Sequence, residues 1–80
     1  MKRSKYQEYC NSASIVLLSA ESAKRQNILD WRMLQSYLRQ ITDIEEKAEN
    51  DPEVADDMRL LNCYMEACAN KLVKLYESEV

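Results

Sequence analysis

Two pairs of carboxylates stand three residues apart on either side of a proline: Glu46 and Glu49, then Glu53 and Asp56. Carboxylates at that spacing share one side of a helix, and two such pairs on facing helices can hold a hard divalent cation. Facing helices require a helix length or more between the pairs, whereas here three residues and a turn separate them. No metal site is expected. The chain has no histidine, which removes Ser-His-Asp and Cys-His triads. It has no glycine, which removes phosphate-cradling loops and dinucleotide fingerprints. The cysteines, Cys10, Cys63 and Cys68, are three in number and fit no zinc spacing. Cys10 and Cys68 fall on apolar faces and read as small core filler. Cys63 lies on the opposite side from Leu61 and Met65, with only Arg59 nearby to lower its pKa, so it reads as an inert thiol. No catalytic residue and no cofactor follow from these residues, and the chain reads as something other than an enzyme.

Charge bounds the partners. The net charge is -3, but residues 1–40 carry seven cations against three carboxylates, and residues 41–80 carry four against eleven. Residues 43–57 concentrate eight carboxylates and one lysine. The acidic set Asp43, Glu46, Glu49, Glu53, Asp56 and Asp57 suits a basic protein surface or mimics a phosphate backbone. The plainer use is a solvated helix end whose acids meet the positive end of a helix dipole. Lys2, Arg3 and Lys5 form a basic tail, and Arg32, Gln35, Arg39 and Gln40 could line one helix side. The overall negative charge and the lack of a turn glycine argue against nucleic acid. The apolar run Ile15-Val16-Leu17-Leu18 is too short for a signal core or a membrane span, and few cations flank it. A reduced, cytoplasmic chain without a targeting segment and without membrane contact is therefore expected.

The elements that must position these residues are helices. An 80-residue chain without glycine lacks the usual hairpin-turn residue, and no window alternates apolar and polar at strand length. The strongest pattern is Val54, Met58, Leu61, Met65, Cys68, Leu72 and Leu75, an unbroken 4-3 stripe on one helix face. Asp51 and Pro52 start it, as a cap and a first-turn proline. A middle helix carries the stripe Trp31, Leu34, Leu38, Ile41, continued by Ile44 and Ala48. Asn50-Asp51-Pro52 is a turn, because the residue before proline leaves helical geometry. So short a connection makes the two flanking helices antiparallel neighbours. A first helix follows Ser4, which with Gln7 matches a capping box. Its apolar phase runs through Tyr6, Cys10, Ala13, Leu17 and Ala20. Two readings of residues 24–29 stand side by side. Either Asn27 takes a left-handed cap, Ile28 folds back on Ala23 and Asp30 starts a new helix, or the helix runs on unbroken. The expected fold is all-α: an antiparallel helical hairpin with an N-terminal helical segment, a small three-helix bundle in one domain, with helices near 5–26, 30–49 and 52–78. The alternative is two long helices that dimerise.

Ile15, Val16 and Leu18 lie off the first helix's apolar line, so that helix is apolar over more than one face. Together with Tyr6 and Tyr9 they are the expected partner-binding residues, since aromatic and large apolar side chains anchor protein interfaces. Trp31, Tyr37, Tyr64 and Tyr76 could also supply anchors, and the plainer reading is that they finish the core. Asn50-Asp51-Pro52 leading into a helix with Leu60-Leu61, Glu66, Asn70 and Tyr76, after a helix ending in mixed charges, resembles the YscE-like co-chaperones of bacterial type III secretion needle subunits. This resemblance covers about half the chain. It implies a helical hairpin that docks on a repeat-protein partner through the apolar face of its first helix, with no catalytic residue. The expected function is thus a non-enzymatic protein-binding adaptor or chaperone, with self-association possible. The alternative is a small acidic phage- or plasmid-type inhibitor that covers a basic site on a host protein.

Overall fold

The computed structural model describes residues 4–78. Three helices follow in order: α1 (Lys5–Arg25), α2 (Trp31–Glu49) and α3 (Met58–Glu77), the last entered through a 3₁₀ segment, Pro52–Asp57. Each helix packs against the other two, and there is no strand among the described residues. The described chain measures 40 × 24 × 16 Å.

Each boundary has a local cause. Ser4 caps α1, its hydroxyl accepting the Gln7 N–H at 3.2 Å. The Gln7 side chain runs along the helix rather than back to the cap, its amide donating to Asn11 Oδ1 at 3.1 Å. α1 ends at Asn27, whose φ of 61° is left-handed. The Ile28 N–H reaches the Ala23 carbonyl and the Asn27 N–H the Lys24 carbonyl, both at 3.0 Å. That pair of bonds is a Schellman closure, and it satisfies carbonyls that the end of the helix would otherwise leave free. It decides between the two readings: the chain turns back at residues 26–30, and the long two-helix arrangement does not form. Asp30 then caps α2 by accepting the Met33 N–H at 2.9 Å.

Asp51 accepts the Glu53 N–H at 2.9 Å, as its position before Pro52 predicts. The following turns differ from expectation. Pro52–Asp57 winds as a 3₁₀ helix rather than the start of an α-helix. The Val54 N–H bonds the Asp51 carbonyl at 3.2 Å, setting the tighter i→i+3 pattern from the first residue. The stripe survives this change of winding. Val54, Leu61 and Leu72 are fully buried, Met65 and Cys68 nearly so, and Met58 and Leu75 pack beside them.

α2 adds Leu34, Ile41 and Ala48 to the core. Trp31 does not follow them. Read as a core residue, it stands 60% exposed at the first position of α2, where the bundle's edge leaves one side of the ring to solvent. α1 contributes mainly small side chains: Cys10, Ala13, Val16, Ala20 and Ala23 are buried.

Candidate functional site

Two adjacent large apolar side chains on α1 point away from the bundle. Ile15 and Leu18 are each 62% exposed. Three residues apart on a helix, they are neighbours on its surface. Burying the small side of α1 leaves its large branched residues outside. Val16, expected to share this face, is instead a core residue at 7% exposure. It lies on the line of Ala13, Ala20 and Ala23, so it cannot meet a partner in the folded chain.

Tyr6 and Tyr9 are half-buried against the core. The Tyr9 hydroxyl donates to Asp51 Oδ2 at 2.8 Å, tying the start of α1 to the turn between α2 and α3. Lys5 Nζ lies 5.8 Å from the Tyr9 ring centre and 3.8 Å from Asp51 Oδ2. Burial, then the bond to Asp51, pushes the Tyr9 phenol up to about 12. The Tyr9 hydroxyl, the Glu53 N–H and the Lys5 charge in turn hold the Asp51 carboxyl below its ordinary value. Ser14 and Tyr64 share a hydroxyl–hydroxyl bond between α1 and α3. These tyrosines act first as staples between elements. Sequence shows only tyrosines at half-apolar positions; which carboxylate or hydroxyl they meet depends on how the helices lie together.

The acidic set sits around the far turn. Asp43, Glu46, Glu49, Glu53 and Asp56 are exposed and Asp57 is half-buried. Asp43 and Glu46, with Lys47 and Asn50, line an open recess on α2. Lys5–Asp51 is the only ion pair among the described residues, so none of the six has a cationic partner there. Among the described residues, no three carboxylates or thiols converge as a metal-binding group. All three cysteines are free thiols, Cys10 and Cys68 buried and Cys63 exposed. Burial pushes the Cys68 thiol up, away from the reactive thiolate.

The opposite side of the bundle carries a feature not anticipated from the sequence. Trp31 and Tyr76 meet at 5.9 Å between ring centres, tilted by 60°. Further along the α2/α3 seam lies an open groove of about 310 Å³, floored by Ile41 and Met65 and walled by Leu38, Ala69, Glu45 and Glu66. Partial burial, then the charges of Glu49 and Glu66, raise the Glu45 carboxyl. No helix among the described residues is long and apolar enough to cross a membrane. Set beside family models, curated proteins and solved structures, this three-helix chain finds no match in any of the three comparisons.

Proposed function

We propose that the chain is a non-enzymatic protein-binding adaptor or chaperone whose α1 outer face docks on an apolar surface of one partner protein. The observation that carries this reading is the exposure of Ile15 and Leu18, both at 62% and one helical turn apart. Exposed large apolar residues scattered singly are ordinary, whereas a contiguous pair on one face is the start of an interaction patch. Leu18→Asp tests the proposal. The expected result is that one partner, captured from the native cell by the wild type, is lost with the variant while the melting curve stays put. Undiminished capture overturns it.

The unpaired acids Asp43, Glu46, Glu49, Glu53 and Asp56 support a second reading, an inhibitor that covers a basic site on a host protein. Salt separates the two. Contacts from an acidic patch weaken steeply as ionic strength rises past the screening range, and apolar docking does not. A complex that survives high salt and is lost with Leu18→Asp belongs to α1. One that dissociates in salt and is lost with Glu46→Gln and Glu49→Gln belongs to the acidic turn.

A further inference from the structure

The α2/α3 seam is built in rungs. Trp31, Leu38 and Glu45 lie seven residues apart on α2, and Asn62, Ala69 and Tyr76 seven apart on α3. Seven residues are two helical turns, so each trio holds one line along its helix. The helices run antiparallel, which pairs the lines end to end. Trp31 meets Tyr76 directly, Leu38 and Ala69 wall the groove together, and Glu45 and Asn62 border its far end. The floor is apolar, from Ile41 and Met65. One end of the seam is thus aromatic, with Val73 also open to solvent beside Tyr76, and the other end is acidic.

We propose that this seam is a docking groove for a basic amphipathic helix of a partner protein. The partner's apolar side chains lie on Leu38, Ala69 and the Trp31–Tyr76 pair, and its lysine or arginine lies between Glu45 and Glu66. The seam from Trp31 to Glu45, of which the groove takes the half from Leu38 to Glu45, spans about 21 Å at ~1.5 Å per residue, the length of a four-turn helix. Two antiparallel helices present a trough whose ridges accept a further helix. Charge selects the occupant. Glu45 is half-buried beside Glu49 and Glu66, and no cation of the described chain pairs with any of them. A partner's cation there relieves a repulsion that the chain alone sustains.

The same carboxylates repel nucleic acid and anionic lipid. A second copy of this chain fits less well. Its exposed α1 face sets the uncharged Asn11, Ser19 and Ser22 beside Ile15 and Leu18, and the cation on that line, Arg25, stands two turns beyond Leu18. The groove lies on the side of the bundle away from α1, so this site is independent of the surface proposed above.

The test is an NMR titration of the full chain with two synthetic helices of ~18 residues, a length that covers the groove. Both carry the same leucine and alanine stripe; one is flanked by lysine, the other by glutamate. The lysine helix is expected to shift the signals of Trp31, Leu38 and Ala69, and the glutamate helix is not. The double variant Glu45→Gln and Glu66→Gln should weaken the lysine helix roughly tenfold, the scale of two partly shielded ion pairs. Leu18→Asp should leave it unchanged. Four results overturn the proposal: no shift, shifts confined to Ile15 and Leu18, equal binding of both helices, or affinity indifferent to the glutamine variants. Concentration-dependent shifts of Trp31 and Leu38 without any peptide also overturn it and assign the groove to a second copy.

Discussion

α1 and α3 are nearly the same length, 21 and 20 residues, and meet the core in opposite ways. α3 buries Leu61, Met65 and Leu72 on one line and leaves only Leu60 and Val73, off that line, as large aliphatic residues open to solvent. α1 buries alanines and a cysteine around a single valine and leaves Ile15 and Leu18 in solvent. Hydrophobicity alone would have turned Ile15 and Leu18 inward. What decides is the space between the helices. Once α2 and α3 have filled the centre with leucine, isoleucine and methionine, a third helix fits most closely through its small side. Interiors are packed to near-crystalline density, so volume as well as polarity selects the buried face. The line of large residues makes α3 the centre of the scaffold, whereas α1 joins it through its small side and turns its large residues outward.

That contrast can be broken at its strongest point first. Leu61→Asp places an unpaired charge at a fully buried site and should cost about 4 kcal/mol or more, enough to abolish the cooperative melt of a small bundle. A folded variant with helicity unchanged by circular dichroism would mean that α3 is not the centre. The two seams should next fail in opposite directions. Leu72→Ala leaves a cavity and should cost about 2–5 kcal/mol. Ala13→Leu overfills the close approach of α1 and should cost about 1–3 kcal/mol. If Ala13→Leu instead raises the melting temperature, α1 is loosely packed and the volume argument fails.

Smaller effects come from the staple at the start of α1. Burial and the bond to Asp51 push the folded Tyr9 phenol up to about 12, above its ordinary value of 10. Its stabilising contribution is therefore complete below pH 10 and is lost as pH rises from 10 to 12. Asp51 is shifted the other way. Its contribution is present above the ordinary carboxylate range and is lost as pH falls through its lowered folded value. Tyr9→Phe should flatten both slopes in melting temperature against pH, the alkaline one most. Equal slopes in the two proteins would show that the bond carries no weight. The smallest effect belongs to the outer face. Leu18→Asp should change stability by no more than about 0.5 kcal/mol, as for most surface substitutions, and a larger loss would place Leu18 in the core.

Much of this architecture is legible in the sequence. Where a helix stripe combines strict spacing with large residues, as from Val54 to Leu72, spacing and volume agree and the buried face can be read directly. The turn at Asn27 is also legible, because asparagine tolerates the left-handed conformation that closes the helix. α1 is less so. A phase through Leu17 and a surface that includes Val16 both follow from weighing hydrophobicity, whereas the structure half-buries Leu17 and fully enlists Val16. The α2/α3 groove is legible only in part. Its residues stand at heptad spacing in the sequence, but the pairing of Trp31 with Tyr76 and of Glu45 with Glu66 depends on how two helices are set against each other. Trp31 misleads for a related reason: its spacing fits the stripe, but the first residue of a helix has no preceding turn to cover it.

The six-residue 3₁₀ segment carries one more consequence. Hydrogen bonds of the 3₁₀ pattern are poorer in geometry than those of an α-helix, and such runs seldom extend past four residues. Of the segment's side chains only Val54 is fully buried, while Glu53, Ala55 and Asp56 face solvent. Val54 in the core and the bonds to Asp51 therefore pin the start of the segment, while Ala55 and Asp56 are held by their backbone alone. Amide protons at residues 55–57 should exchange through a local opening that leaves the three helices intact. The acidic turn can then change its backbone shape at little cost to the bundle, while the groove and the α1 face remain fixed.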